Sequence, residues 1–279
     1  MTTAKEKFDH YRPKKFLGQN FLVDNNIAKK IVNSLEIKPD DIVLEIGPGQ
    51  GVLTKYISEI TKNFIAVELD KSIYEKLTLE YEGRINLIHK DFLKINLQND
   101  IYNIFSINNP DVRNKKIKVI GNIPYNITTE ILFKLFDSSD IIDSAVLMMQ
   151  KEVAKRLTAQ PNTKDYAILA IQTQTNSVPK ILFNVPPTAF FPKPRVDSSI
   201  VKFDFGNSKY KILYKDIFKT LVKQSFGHRR KTMKNSLKVF FENNEVSFDN
   251  IDFDFTRRAE SVSIEEYIRL LYDIKELMK

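Results

Sequence analysis

The chain has 279 residues, 42% of them hydrophobic and 28% charged, and a formal net charge of +8. That length buries a sizeable core and suits one large domain with a smaller one, and the composition excludes a largely disordered chain. The absence of cysteine excludes disulfides, thiolate nucleophiles and cysteine-based zinc sites, and no apolar run approaches the roughly 20 residues that cross a bilayer. Met1–Lys7 carries no apolar stretch of the kind that directs secretion, so a cytoplasmic protein is expected.

Residues Phe8 to Leu22 form a basic, aromatic arm whose Phe16, Leu17, Phe21 and Leu22 need somewhere to bury. A helix is predicted from Asn25 to Leu35, with Ile27, Ile31, Val32 and Leu35 on one face and Asp24 as N-cap. Asp41–Ile46 reads as a short buried strand. Gly47-Pro48-Gly49-Gln50-Gly51 follows it, and then helical Val52–Ile60. Strand, glycine loop and helix open a nucleotide-binding α/β fold, where missing side chains let a ligand lie against the backbone. The spacing differs from the dinucleotide fingerprint, which is tuned to a pyrophosphate.

The next strand, Phe64–Val67, ends in Glu68-Leu69-Asp70, where a carboxylate roughly twenty residues beyond the glycines accepts ribose hydroxyls. Glu68 is the residue expected to do so; the competing reading, an acid capping the next helix, suits Asp70 better. A third strand over Ile85–His89 ends at Lys90-Asp91-Phe92. Residues 96–116 are polar, Asn-rich and poorly periodic, and are expected to be a loop.

The apolar run Ile117–Ile120 leads into Gly121-Asn122-Ile123-Pro124-Tyr125-Asn126-Ile127-Thr128, ahead of a helical segment from Thr129 to Phe136. Asn122 offers an amide, Pro124 a carbonyl without an amide proton, and Tyr125 a flat ring, a set that grips a planar base by edge and face. An ordinary strand-to-helix turn uses the same residue types. Ser144–Met149 reads as a fifth strand, and Thr173–Phe183 and Ser199–Phe205 as two more. The four prolines of Pro186–Ser198 stiffen a loop that presents Phe190 and Phe191; packing of either ring in the core is the alternative. Beyond Gly206 the pattern is helical only. Between Lys209 and Lys238 ten basic residues, among them Arg229, Arg230, Lys231 and Lys234, face a single acid, Asp216. Such one-signed charge points to a polyanion, because cations that neutralise phosphates release condensed counterions. None of the three histidines has a partner at a metal-ligand spacing, and no metal is expected.

Several of these stretches resemble one family in the expected order: Lys14-Lys-Phe-Leu-Gly-Gln-Asn-Phe-Leu22, Glu45-Ile-Gly-Pro-Gly-Gln-Gly51, Asn122-Ile-Pro-Tyr125, and Phe190-x-Pro-x-Pro-x-Val-Asp-Ser198. Phe226–Thr232 and Arg257-Arg258-Ala259-Glu260 also match. The family is that of bacterial small-subunit ribosomal RNA adenine dimethyltransferases, and the resemblance runs from Lys14 to about Leu271. It implies an α/β fold: a class I, Rossmann-like S-adenosyl-L-methionine-dependent methyltransferase domain over 1–206, and a small all-helical domain over 207–279 contacting RNA through Arg229, Arg230, Lys231 and Lys234. The resemblance also implies that the arm covers the cofactor through Asn20 and Leu22. Gly47 and Gly49 would receive its methionine end, Glu68 its ribose, Asp91 and Phe92 its adenine, with Leu69 and Asn122 also in contact with it. The target base would be held by Asn122, Pro124, Tyr125 and Phe190, with Phe190, not Phe191, as the stacking ring. The implied substrate is a pair of adjacent adenines in a hairpin loop near the RNA 3′ end, dimethylated on a pre-assembled subunit; independently of the resemblance, a monomer is the default expectation. The chain departs from the family in having Ala167 where Gly is usual and in the length of its 96–116 segment. The alternatives are a macrolide-resistance-type methyltransferase of large-subunit RNA and a binding protein that kept the fold as an assembly or transcription factor.

Overall fold

The computed structural model describes residues 13–106, 114–228 and 230–278. The chain divides into two compact units, one of residues 1–154 and 179–207 and the other of 155–178 and 208–279. The expected single cut after residue 206 is thus interrupted. Lys155–Val178 groups with the C-terminal helices because Tyr166, Ala170 and Ile171 share one core with Phe218, Leu221, Phe241 and Tyr267.

The first unit opens with strand β1 (Phe21–Leu22) and helix α1 (Asn25–Ser34). Asp24 caps α1 by accepting from the Asn26 and Ile27 N–H groups at 2.9 and 3.0 Å, a bond whose loss costs about 1 kcal/mol. Ala28, Ile31 and Val32 bury the inner face of α1. Strand β2 (Ile42–Ile46) precedes the glycine loop and the short α2 (Thr54–Ile57); β3 (Phe64–Glu68), α3 (Lys71–Tyr81) and β4 (Asn86–His89) follow. Every residue of β2 and β3 is buried, as expected for central parallel strands covered on both faces.

Part of the segment read as a loop over 96–116 is ordered otherwise. A wide helical turn at Leu97–Ile101 runs into α4 (Tyr102–Ser106). Leu97, Ile101 and Tyr102 are buried, and the Tyr102 hydroxyl donates to the Lys115 carbonyl at 2.7 Å. Three apolar anchors among many Asn and Asp residues make too weak a period to read from sequence.

Strand β5 (Ile117–Asn122), α5 (Thr128–Asp137), β6 (Ile142–Gln150) and α6 (Lys151–Leu157) come next. The residues from Thr173 to Asn176, expected to begin a strand, instead end helix α7 (Ile168–Asn176), and the strand β7 covers Val178–Val185. The β-branched residues that suggested extension are accommodated because the Thr173 and Thr175 hydroxyls donate back to the Leu169 and Ile171 carbonyls at 2.7 and 2.8 Å. Strands β8 (Phe190–Phe191) and β9 (Ser198–Asp204) complete the first unit.

Seven strands form one sheet in the order β4-β3-β2-β5-β6-β9-β7, and β1 pairs with β8 in a separate antiparallel ribbon. From β4 to β6 the pairs are parallel, and β9 runs antiparallel to β6. The chain winds outward from β2 through β3 to β4, then returns to place β5 on the other side of β2. That reversal opens a crevice at the carboxyl ends of β2 and β5, where such sheets bind ligands. The register fixes it: Ile46 lies beside Gly121, so the loops after Ile46 and Asn122 leave the sheet side by side. A Cβ on Gly121 would stand 2.7 Å from the Ile46 carbonyl oxygen, so this pairing needs glycine.

The second unit holds α7, α8 (Lys215–Ser225), α9 (Met233–Asn243) and α10 (Ile264–Leu277). Ser263 and Glu266 cap α10 reciprocally, and the buried Tyr166 hydroxyl donates to the Val262 carbonyl at 3.0 Å. Ala167, at φ −159° and ψ −170°, is in extended backbone open to any residue, so the departure from glycine strains nothing. Among the described residues no helix is long and apolar enough to cross a membrane.

Candidate active site

The crevice widens into a cavity of about 220 Å³ lined by residues from Phe16 to Ile131. Asn20, Leu22, Gly47, Gly49, Glu68, Leu69, Asp91, Phe92, Asn122, Pro124 and Tyr125 all line it, so eleven of the residues singled out in the sequence meet in one place. Phe190 does not line it.

Gly47 has φ +63°, and a Cβ there would meet nothing within 4 Å; the backbone therefore leaves open space above the loop. Glu68 ends β3 and is buried. Its Oε2 accepts from the Gly49 N–H at 3.2 Å and its Oε1 from the Asp70 N–H at 2.8 Å. Burial raises its pKa, and those backbone donors partly offset the shift. Each carboxylate oxygen keeps further acceptor capacity. The helix-capping role falls to Asp70, which accepts from the Ser72 N–H at 3.0 Å and also from Lys14 Nζ and Gln19 Nε2 at 2.9 and 3.1 Å. Asp70 thereby ties the arm to the end of β3.

Glu45 lines the same cavity and is 1% exposed. The Thr54 hydroxyl donates to its Oε2 at 2.7 Å. Burial pushes its pKa up to about 8, with the Glu68 charge adding to the effect and Thr54 opposing it. Glu45 has no expected role in the sequence beyond its place in the motif, and its signal there is an acid inside an otherwise apolar strand, Ile42–Ile46.

At the far side Asp91 caps a short turn, its Oδ1 accepting from the Leu93 N–H at 2.9 Å. Phe92 is buried against the cavity, and Leu69 is exposed beside it. The Asn122 Nδ2 donates to the Asn20 carbonyl at 2.7 Å, which turns the amide's acceptor oxygen away from the arm. The Tyr125 hydroxyl and Ser198 Oγ lie 2.6 Å apart, fixing the ring by its far end. Burial raises the Tyr125 pKa and the bond to Ser198 opposes it.

Two expectations for the base-holding group change. The Pro124 carbonyl, expected to accept from the target amine, already accepts from the Ile127 N–H at 3.3 Å and the Thr128 hydroxyl at 3.1 Å. Both of its lone pairs are engaged because the helical turn starts there. The neighbouring Ile123 lines the cavity, and its N–H bonds the Met148 carbonyl at 3.2 Å; among the described residues nothing donates to its own carbonyl. Phe190, expected as a stacking ring, is 2% exposed. It pairs with Leu22 across the β1–β8 ribbon and packs with Ile120, Val146 and Ile200, whereas Phe191, opposite Phe21, is half-buried. Strand alternation sends the two rings to opposite faces.

In the second unit Arg230, Lys231 and Lys234 are exposed, and Arg229, like the arm as far as Arg12, lies outside the described residues. Arg230 lines a polar depression with Asn162, Thr163, Lys164, Arg258 and Glu260. Among the described residues no three His, Asp or Glu side chains could hold a metal ion together.

A family model described as ribosomal RNA adenine dimethylase matches residues 11–276. The chain is 42% identical over 270 residues to the ribosomal RNA small subunit methyltransferase A of Chlorobaculum parvum, covering 97% of this chain and 92% of that one. It is 40% identical over 261 residues to the protein of the same name from Francisella tularensis subsp. novicida, covering 93% and 96%. A dimethyladenosine transferase from Plasmodium falciparum superposes with a TM-score of 0.71 at 25% identity over 92% of this chain and 98% of that one. The 23S rRNA methyltransferase ErmE shares the fold, with a TM-score of 0.64 at 23% identity over 92% of this chain and all of that one.

Proposed function

The chain belongs to the ribosomal RNA adenine dimethylase family, and from that premise we infer how its cleft divides the work. It is an S-adenosyl-L-methionine-dependent adenine dimethyltransferase of small-subunit ribosomal RNA. We propose that its substrate is a pair of adjacent adenines in a hairpin loop near the RNA 3′ end, met on a pre-assembled subunit, and that the enzyme works as a cytoplasmic monomer. The observation that carries this reading is the juxtaposition of the glycine loop after β2 with the Asn122–Tyr125 loop after β5, in one cavity.

The cavity fits the cofactor: it combines open space over Gly47, a buried carboxylate at Glu68 and the apolar Leu69, Ile73 and Phe92. In our reading Gly47 and Gly49 take the methionine end, Glu68 the ribose hydroxyls, and Asp91 and Phe92 the adenine, with Asn20 and Leu22 closing over them. When bound, the cofactor would supply a methyl group on a sulfonium sulfur; transfer would neutralise the sulfur and place the positive charge on the amine nitrogen, whose proton is then acidic enough to pass to water, so the reaction calls for aim more than for a strong base.

Aim is what the protein's own residues provide. The adenine amine is a poor nucleophile because its lone pair is delocalised into the ring. Asn122 Oδ1 and the Ile123 carbonyl, in place of Pro124, accept the two amine protons and draw that lone pair onto nitrogen. Tyr125, pinned through Ser198, holds the ring face, and Pro124 fixes the turn between them. Orientation of this kind, in a site that holds both partners, accounts for a large share of the acceleration. Stacking of this sort suits a base already unpaired or extruded.

The test is transfer of labelled methyl from S-adenosyl-L-methionine to undermethylated small subunits and, in parallel, to protein-free large-subunit RNA, with products digested to nucleosides. Dimethyladenosine from the small subunits alone is the expected result. Product from the large-subunit RNA alone, or from neither, overturns the reading.

A further inference from the structure

Among the described residues Phe16 is the phenylalanine that stands exposed, with 76% of its surface accessible. It is also at the rim of the cavity that holds Asn122 and Tyr125. An exposed ring at a random surface point needs no explanation. This one is held in place on both sides. Before it, Lys14 Nζ pairs with Asp70 at 2.9 Å, and the Lys14 N–H donates to Gln19 Oε1 at 2.7 Å. The short turn Lys15–Leu17 is closed by the Leu17 N–H donating to the Lys14 carbonyl at 3.1 Å. After it, Gly18 has φ +64°, a conformation that residues other than glycine strain to adopt, and a Cβ there would stand 2.6 Å from Asn126 Oδ1 and 3.5 Å from the Pro124 Cβ, so the arm lies close against the Pro124–Asn126 loop. The ring is thus fixed to the target-base loop and turned outward. A ring lying over the cavity floor would have one face shielded by the walls, which an accessibility of 76% does not allow.

We propose that Phe16 is the stacking platform for the nucleotide next to the target adenine, a further substrate-positioning residue of this enzyme. The inference rests on the reading of the cleft as the site of adenine methylation. Extruding one base from a single strand uncovers a face of its neighbour, and an aromatic ring at the mouth of the pocket replaces the lost stack. The pocket already has Tyr125 for the base inside it and Phe92 at the opposite end, so Phe16 is surplus to both. With two adjacent adenines as substrate, the neighbour on the platform is the second adenine, held in reach while the first is methylated.

The chain contains no tryptophan, so Phe16→Trp gives a single fluorescent reporter. Its emission, taken as the difference from the same mixture containing the tryptophan-free wild type, is expected to be quenched by undermethylated small subunits and unchanged by S-adenosylhomocysteine alone. Quenching by S-adenosylhomocysteine alone would make the ring a cofactor lid and overturn the proposal, as would no quenching by subunits. In steady state, Phe16→Ala is expected to raise KM for the subunits roughly five- to hundred-fold, the range seen when one base stack is removed. S-adenosylhomocysteine affinity should stay as in the wild type, and Phe16→Trp should restore KM where Phe16→Leu does not. An unchanged KM in Phe16→Ala, or equal rescue by Leu, overturns it. Absence of methyl transfer by the wild-type protein would sink the reading of the cleft instead, while the tryptophan signal would still report whether RNA stacks at the rim.

Discussion

Replacing Glu45 by Gln tests whether the floor of the cleft carries a carboxyl that is protonated at neutral pH. In the folded protein this group titrates near 8 rather than at its ordinary 4.5, chiefly because it is buried. A carboxyl with a raised folded pKa adds stability that is fully present below the unfolded value and is lost as pH rises through the folded one. The loss from Glu45 between pH 5 and 8 is therefore about 3 kcal/mol at most, or a fall in Tm of the order of 6 °C for a chain of this size. Glu68 shifts in the same direction and adds to it. The opposing groups act elsewhere: Glu266, held down to about 2 by its bond to Arg257, gives stability above 4.5 that is lost only as pH falls toward 2. The loss between pH 5 and 8 is thus assigned to Glu45, with Glu68 acting in the same direction. In thermal unfolding of the full chain without cofactor, the wild type should lose stability from pH 5 to 8 and Glu45→Gln should lose distinctly less, crossing to become the more stable protein at pH 8. Parallel Tm profiles for the two proteins would refute the assignment of a neutral, buried Glu45.

Asn122→Ala should lower kcat by about 10²- to 10³-fold, the usual loss when one fixed polar group at the reacting centre is removed. Cofactor affinity, measured by calorimetry, should fall by no more than about five-fold, because one hydrogen bond to the Asn20 carbonyl goes with it; retained turnover would remove Asn122 from the target amine. Gly121→Ala should destabilise the protein by about 1–3 kcal/mol, read as a drop in Tm, because the new methyl meets the Ile46 carbonyl oxygen; an unshifted Tm would mean the two loops are less tightly registered than the strand pairing requires. Charge reversal at Arg230 and Lys231 should weaken binding to small subunits and flatten the plot of log affinity against log salt by roughly one unit per lost phosphate contact, without altering S-adenosylhomocysteine binding. An unchanged salt slope would take these residues off the RNA face.

What was legible in the sequence was what local chemistry decides. Buried parallel strands such as Ile42–Ile46 and Phe64–Glu68 announce themselves as apolar runs, and α1 by its spacing and its Asp24 cap. Gly47, Glu68 and Asn122 stood out because each lies at the carboxyl end of a strand, where the α/β architecture gathers its loops; Asp91 was singled out by the family resemblance. What could not be read depends on partners remote in the chain. That Phe190 faces the core and Phe191 does not is set by the pairing of β8 with β1, about 170 residues earlier in a strand of two residues. The assignment of Lys155–Val178 to the helical unit is likewise decided by Tyr166 and Ile171 meeting Phe218 and Tyr267.

The exchange of Pro124 for Ile123 as an acceptor shows a different limit. The residues Asn122-Ile-Pro-Tyr125 carry several carbonyls, and sequence alone ranks them by residue type, which favours the proline that has no N–H to satisfy. Geometry ranks them by what each oxygen has already accepted. Once the chain turns into helix at Tyr125, the Pro124 oxygen is filled by Ile127 and Thr128. The strand-end oxygen of Ile123 keeps its capacity because it sits one residue beyond β5, where the ladder to β6 stops. Two residues, Ile123 and Pro124, separate the end of the strand from the helical turn, and of their two carbonyls the one at Ile123 is left without a donor among the described residues. Two acceptors on adjacent residues match in number the two protons of an exocyclic amine, which is why the proposed mechanism uses Ile123 rather than the proline.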